Sequence, residues 1–218
     1  MSSSAIICPT VLAENPHAYR EQMARIAPFA KRVQIDLADG EFAPVRTVNP
    51  VQVYWPEEIL ADLHLMLKKP AEHTETIISL QPHLVIVHAE AEGDLLGMMR
   101  QLRAVNIKCG VALLKESNPN DFRDIIGEVD HVLIFSGDLG HFGGQADMEM
   151  LRKIGPIRSI NANVEIGWDG GVSGENAAQL ALGGVEVLNV GGYIQRAEDP
   201  AEAYKRLTEL LDKLNIEV

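Results

Sequence analysis

The sequence is poor in aromatic residues and in positive charge. Aromatics make up only 5% of the 218 residues, so the core must be built from Val, Ile, Leu, Ala and Met. There are 19 basic against 31 acidic residues, a net charge of −12, and the basic residues are scattered. Nucleic-acid binding needs a clustered basic footprint and is therefore not expected. An anionic substrate is compatible with this charge, because backbone N–H groups can hold a phosphate.

Cysteines and long apolar runs are also scarce. The chain has two cysteines, Cys8 and Cys109, and its first four residues do not resemble a secretory signal. These features predict a reducing compartment without disulfides, and we expect a cytoplasmic protein. No apolar stretch approaches the ~20 residues of a membrane span, so no membrane segment is expected. The sequence shows no apolar stripe separate from the residues expected to form the core. Both a monomer and a homo-oligomer therefore remain possible interpretations of the sequence.

Short apolar runs alternate with stretches of helical periodicity along the whole chain. The apolar runs predict strands over Ala5–Cys8, Arg32–Asp36, Leu60–Leu65, Leu84–His88, Lys108–Leu114, His131–Ser136, Val164–Trp168 and Val185–Val190. Helices are predicted over Asn15–Phe29, Asn49–Glu58, Ala71–Leu80, Gly93–Val105, Asn120–Ile126, Ala146–Ile160, Gly174–Leu182 and Pro200–Leu214. Eight such units without a linker favour one domain over residues 1–218, an α/β fold of the (β/α)8 TIM-barrel type. An open doubly wound sheet is the alternative.

Acidic or imidazole residues occur at the ends of three of these apolar runs. Asp36 and His64 lie at the ends of the second and third runs, and Asp169 follows the seventh. The carboxyl ends of barrel strands all point to one mouth, so these side chains would converge there. Two carboxylates on opposite sides of a small-molecule pocket suit removal of a proton from one face and its return to the other. The pattern predicts epimerase chemistry.

Glycines concentrate at the ends of the last three predicted strands. Glycine lets backbone N–H groups approach an anion closely, and loops after the last strands of a barrel are a frequent phosphate site. The alternative is that these glycines merely form the turns from strand to helix. The phosphate interpretation, with a threonine hydroxyl added, predicts substrate binding by Thr10, Gly143, Gly144, Gly170, Gly171, Gly191 and Gly192.

Motifs at successive strand ends resemble those of the ribulose-phosphate 3-epimerase family, nearly from end to end. They are Pro9-Thr10-Val11-Leu12, Asp36-x-x-Asp39-Gly40-x-Phe42-x-Pro44, Asp62-x-His64-Leu65-Met66, His88-x-Glu90, Phe142-Gly143-Gly144-Gln145, Asp169-Gly170-Gly171-Val172 and Ile194-x-Arg196-x-Glu198-Asp199-Pro200. The resemblance implies a ribulose-phosphate-binding barrel of the pentose phosphate pathway. Its expected substrate is a small phosphorylated ketose, interconverted between D-ribulose 5-phosphate and D-xylulose 5-phosphate.

The same resemblance implies roles for individual residues. Asp36 and Asp169 would be the catalytic pair and, with His64, would bind a divalent metal ion that stabilises an enediolate. The family's first metal-binding histidine falls on Gln34, which offers only an amide oxygen. Such a donor set suits Mn²⁺, Fe²⁺ or Mg²⁺ better than Zn²⁺.

Further departures from the family pattern keep other functions open. Ala38 stands where methionine is usual, and Gly192 stands where a phosphate-contacting serine is usual. One alternative is a 3-epimerase of a hexulose phosphate such as allulose 6-phosphate. Another is a non-catalytic phosphosugar-binding protein with a degraded metal site. Lys115, at the end of the fifth predicted strand, suggests a third alternative, Schiff-base aldol chemistry.

Overall fold

The computed structural model describes residues 5–141 and 143–216; Phe142 of the glycine-rich motif lies outside them. In this part of the chain, parallel strands close into a barrel in sequence order, from β1 to β8 and back to β1. The strands are Ile6–Leu12 (β1), Arg32–Ala38 (β2), Leu60–Met66 (β3), Leu84–His88 (β4), Lys108–Leu113 (β5), His131–Phe135 (β6), Glu165–Asp169 (β7) and Val187–Val190 (β8). The predicted (β/α)8 barrel is confirmed, and the alternative prediction of an open doubly wound sheet is wrong.

Helices pack around the outside of the barrel. They are Pro16–Ile26 (α1), Thr74–Leu80 (α2), Leu95–Ala104 (α3), Arg123–Ile126 (α4), Ile154–Ile160 (α5), Ala177–Leu182 (α6), Gly192–Gln195 (α7) and Pro200–Ile216 (α8). The start of α1 shows how local sequence sets a boundary. The Asn15 side chain accepts hydrogen bonds from the N–H groups of His17 and Ala18, and Pro16 occupies the first helical turn.

The predicted elements differ from the structure mainly in two places. The helix expected over Asn49–Glu58 is wrong: only the 3₁₀ turn Pro50–Gln52 forms, and Val53 is already extended. Pro56 accounts for the break after Gln52, since a proline has no N–H to bond the carbonyl four residues back and its ring clashes with that carbonyl. Strand β1 runs four residues beyond its predicted end at Cys8. The proline that follows Cys8 lacks an N–H, but beyond it β1 keeps pairing with β2.

The apolar core has three parts. Its main part lies between the barrel and the helices and includes Ile35, Leu63 and Trp168. A smaller cluster fills one side of the barrel interior, formed by Leu84, Ile86, Ala112 and Leu133. A third, formed by Ala38, Ala43 and Met66, lies at the carboxyl ends of β2 and β3. Polar and charged side chains occupy much of the remaining interior.

The amino-terminal end of the barrel is closed by a buried ion-pair network. Arg32 is 8% exposed; its Nε donates to Asp62 at 2.7 Å, and its two terminal nitrogens donate to Glu165 at 2.9 and 2.8 Å. Arg32 and Glu165 begin strands β2 and β7, and Asp62 is near the start of β3, so all three lie opposite the mouth. Charges buried at this end of a barrel serve stability rather than chemistry.

Helix lengths and cysteine positions complete the description. Within the ranges described, no helix combines the length and the hydropathy that crossing a bilayer requires. Cys8 and Cys109 are buried with free thiols.

Candidate active site

Three ionisable side chains meet at the mouth of the barrel. Asp36 on β2 and His64 on β3 face each other in register, and Asp169 ends β7, which is not a neighbour of β2 in the sheet. One ligand atom from each side chain lies within 4.8 Å of the others. Barrel closure therefore brings together all three residues that the sequence placed at strand ends.

The Gln34 side chain lies between the two carboxylates. Its Nε2 donates to Asp36 Oδ1 at 2.8 Å and to Asp169 Oδ2 at 2.6 Å. Its Oε1 is buried and has no hydrogen-bond partner among the described residues. Burial and then the neighbouring Asp36 carboxylate raise the pKa of Asp169 well above its ordinary value. Two buried carboxylates this close favour holding one proton between them, which suits a pair that exchanges acid and base roles.

A chain of contacts runs from His64 away from the cavity. His64 Nε2 lies 2.9 Å from His88 Nε2. Beyond it, His88 Nδ1 faces Glu90 Oε2 at 3.5 Å, and neither atom has another partner in the described part of the chain. Glu90 in turn accepts hydrogen bonds from the Leu114 N–H and the Ser117 hydroxyl. The chain of contacts anchors the His64 ring from behind.

This chain of contacts orients the His64 ring. Burial lowers the pKa of His88 to about 4, so its ring is neutral and carries one N–H. With that N–H on Nδ1, facing the Glu90 carboxylate, His88 Nε2 would accept from a His64 Nε2–H. In a neutral His64 of this tautomer, Nδ1 presents a lone pair toward Asp36 Oδ1, 2.9 Å away, whereas a doubly protonated ring donates an N–H to that oxygen. Two lone pairs at this distance repel unless a proton or a cation lies between them.

The donor set fits a divalent metal ion. Bonds of about 2.0–2.2 Å place two ligands of one ion roughly 3–4.4 Å apart, close to the spacing of Asp36, His64 and Asp169. The unpartnered Gln34 Oε1 and the Nδ1 of a neutral His64 are the features that a cation would satisfy. The environment of His64 also matches the usual one for a metal-binding histidine, whose second N–H is held by another group.

The three residues lie at the floor of a cavity of ≈490 Å³. Asp36 and Asp169 line it, whereas His64 is wholly buried behind them. The residues predicted to bind substrate all line the same cavity: Thr10, Gly143, Gly144, Gly170, Gly171, Gly191 and Gly192. Thr10 lies within β1 rather than after it, in register with Gln34.

The turn after β7 requires its two glycines. Gly170 and Gly171 have φ of +108° and +70°. A Cβ on Gly170 would overlap the backbone of Gly137, and one on Gly171 would overlap that of Ala146. Trp168 supports the turn from the core side, since its Nε1 donates to Gly170 O at 3.0 Å. The backbone is thereby exposed along the wall of the cavity.

Other residues considered from the sequence lie outside the carboxylate cluster. His141 is exposed and contacts Leu139 O at 3.0 Å. Lys115 is exposed and ion-paired with Asp147 at 2.6 Å, and that hydrogen bond raises its pKa. An ammonium held protonated in this way is a poor Schiff-base nucleophile, so the aldol alternative finds no support here. Asp39 shapes its loop, accepting from the N–H groups of Glu41, Phe42 and Lys68.

Two residues of the site escaped the sequence analysis. From the sequence, His88 appears only at a strand end and in a family motif, with no role of its own, but its contact with His64 ties it to the cluster. Asn189 on β8 also lines the cavity, in register with Asp169. The signal for Asn189 was available: it lies two positions before Gly191, so its side chain points to the barrel interior as strand alternation requires.

These features define the class of protein, a (β/α)8-barrel enzyme with an acid–base cluster and a glycine-lined cavity at its mouth. The family follows from comparison with known proteins. The model of the ribulose-phosphate 3 epimerase family matches residues 6–195. The chain belongs to this family of isomerases.

Individual relatives agree with this assignment. The chain is 29% identical over 210 residues to the ribulose-phosphate 3-epimerase of Mycobacterium leprae, covering 93% of each. It is 30% identical over 216 residues to the chloroplastic ribulose-5-phosphate-3-epimerase of Arabidopsis thaliana, covering 93% of this chain and 76% of that protein. Among solved structures, KGPDC from Streptococcus mutans superposes with a TM-score of 0.76 at 10% identity, covering 97% of this chain and 99% of that one. That likeness concerns the fold alone.

Proposed function

We propose that this protein is a ketose-phosphate 3-epimerase that interconverts D-ribulose 5-phosphate and D-xylulose 5-phosphate. The observation that carries the proposal is the convergence of Asp36 and Asp169 on the floor of one cavity whose wall is formed by glycine turns. Membership of the ribulose-phosphate 3-epimerase family supports the same reaction.

The glycine turns are proposed to bind the substrate phosphate. Gly143 and Gly144 come from the loop after β6, Gly170 and Gly171 from the turn after β7, and Gly191 and Gly192 from the end of β8. Backbone N–H groups bind an anion without adding positive side chains, which agrees with the acidic composition. Thr10 adds a hydroxyl at the same cavity.

The two aspartates are proposed to carry the protons. With the phosphate held at the glycine wall, the ketose extends toward the carboxylate pair. One aspartate removes the proton from C3 while the other, already protonated, delivers a proton to the opposite face. The raised pKa of Asp169 is consistent with such a division within the pair. Gln34 keeps both carboxylates in position through its shared amide group.

Asp36, His64 and Asp169 are proposed to hold a divalent metal ion, and rotation of the Gln34 amide would present Oε1 to it. When bound, the ion supplies positive charge that stabilises the negative charge developing on the ketose oxygens. An oxygen-rich donor set with a single imidazole favours Mn²⁺, Fe²⁺ or Mg²⁺ over Zn²⁺. This chain's residues supply the geometry, and His88 with Glu90 keeps the His64 ring oriented so that Nδ1 faces the cluster.

Hydrogen exchange at C3 tests the proposal. Purified protein is incubated in D₂O with ribulose 5-phosphate and, in turn, Mn²⁺, Fe²⁺, Mg²⁺ or Zn²⁺. We expect deuterium at C3 of both pentulose phosphates. A folded sample that gives no exchange with any of these ions contradicts the proposal. Comparing kcat/KM for ribulose 5-phosphate and allulose 6-phosphate then distinguishes a pentulose from a hexulose enzyme.

A further inference from the structure

Asn189 is a polar side chain buried in the wall of the active-site cavity. It lies on β8 in register with Asp169 of β7 on one side and with Cys8 of β1 on the other. The residue is 2% exposed and lines the cavity. Neither its Oδ1 nor its Nδ2 has a hydrogen-bond partner among the residues that the structure describes.

A second asparagine of the same cavity provides a contrast. Asn176 accepts from the Ser173 N–H at 2.9 Å and donates to Gly171 O at 2.8 Å, so both ends of its amide are used to hold the glycine turn. Asn189 holds nothing within the described part of the protein. A buried amide without partners lowers stability, and a leucine of similar size would avoid that cost. A ligand that enters the cavity is the natural partner for the Asn189 amide.

The position of Asn189 indicates which part of the ligand it meets. Its strand neighbour Asp169 belongs to the carboxylate pair, and Gly191 of the phosphate-binding wall lies two residues further along the chain. A ketose phosphate that extends from Asp169 to Gly191 places one particular carbon beside Asn189. It is the carbon that follows the reacting carbon on the phosphate side. In a pentulose 5-phosphate that carbon is C4, which carries a hydroxyl.

We propose that Asn189 hydrogen-bonds the substrate hydroxyl next to the reacting carbon on its phosphate side, and so determines specificity for 4-hydroxy ketose phosphates. The proposal rests on the proposed epimerase function. A hydroxyl both donates and accepts, so either end of the amide provides a matching partner. A substrate without this hydroxyl leaves the amide unpaired, as it is without ligand, and so does not gain the hydrogen bond that favours the 4-hydroxy substrate.

The test pairs one substitution with one substrate analogue. Asn189→Leu removes the amide, and 4-deoxyribulose 5-phosphate removes the hydroxyl. Deuterium exchange at C3 gives kcat/KM for each combination. We expect Asn189→Leu to lower kcat/KM about 10–100-fold for ribulose 5-phosphate. For the deoxy analogue we expect wild type and variant to agree within about twofold, because the interaction is already absent.

Thermal unfolding of the ligand-free protein adds a second readout, the melting temperature. If Asn189 had a structural role, its loss would lower Tm rather than raise it. We expect Asn189→Leu to raise Tm by about 2–4 °C, because it removes an unpaired buried amide. Asn176→Leu is the matched control and should lower Tm, since its amide is paired. If the leucine variant does not fold, Asn189→Val removes the same amide with less volume.

The possible failures are separable. Unchanged kcat/KM for ribulose 5-phosphate in Asn189→Leu, with an active wild type, overturns the Asn189 proposal and leaves the epimerase function intact. Equal losses for both substrates also overturn it, because the hydroxyl is then not the partner. No exchange by the wild type overturns the proposed function itself.

Discussion

His64 and His88 face each other through their Nε2 atoms at 2.9 Å. A contact of this kind holds one proton, and with the outer nitrogen of His88 protonated that proton belongs to His64. In a neutral His64 the nitrogen directed at Asp36 and Asp169 is then a lone pair, available to a cation. Residues behind the cavity thus orient the imidazole that the cavity meets.

Glu90→Gln tests this arrangement, because it removes the charge that orients the His88 N–H. We expect the affinity for Mn²⁺, measured by calorimetry, to fall about 10–100-fold. Glu92→Gln, with its side chain 56% exposed, is the control and should bind Mn²⁺ like the wild type. Equal affinities in all three proteins would show that His88 and Glu90 do not position His64.

Asp36→Asn and Asp169→Asn test the catalytic pair. Each substitution keeps an oxygen that accepts from Gln34 but removes a group able to take a proton. We expect deuterium exchange at C3 to fall about 10²–10⁴-fold in either variant. We expect Tm to change little, because asparagine keeps the volume of the side chain and an oxygen that accepts from Gln34. A variant that keeps exchange within tenfold of the wild type would remove that aspartate from the proton pathway.

Gln34→His tests the metal preference. An imidazole in place of the amide adds a softer nitrogen donor, which suits Zn²⁺ better than Mn²⁺ or Mg²⁺. We expect the ratio of Zn²⁺ to Mn²⁺ affinity to rise at least about 10-fold, measured by competition with a chelating dye. Gln52→His, at an exposed position, should leave the ratio unchanged. An unchanged ratio in Gln34→His would mean that this side chain does not contact the ion.

Arg32→Met tests the ion-pair network at the other end of the barrel. Removing the guanidinium leaves Asp62 and Glu165 without their shared partner. We expect the free energy of unfolding in urea to fall by about 3–5 kcal/mol. Arg103→Met breaks a surface pair with Glu128, whose side chain is 63% exposed, and should cost at most about 1 kcal/mol. Similar losses in the two variants would contradict the contrast between buried and surface pairs.

The wrong helix prediction over Asn49–Glu58 and the underestimated length of β1 show the limits of local sequence patterns. Periodicity predicted every strand of the barrel, because buried parallel strands require apolar runs whatever their neighbours are. Periodicity was misleading in these two segments, where a proline changes the backbone conformation or the hydrogen bonding of one or two residues. The domain assignment over residues 1–218 stays a prediction, and so do the roles of the site residues, which the experiments above test.

The sequence by itself determined the alternation of strands and helices, the ends at which Asp36, His64 and Asp169 lie, and the glycines that follow the last strands. These properties depend on residues close together in the chain. Only the tertiary structure decided that Gln34 donates to Asp169, that His88 holds His64, and that Asn189 is buried without a partner among the described residues. Each of these features depends on the register and closure of the whole barrel, which no local pattern encodes.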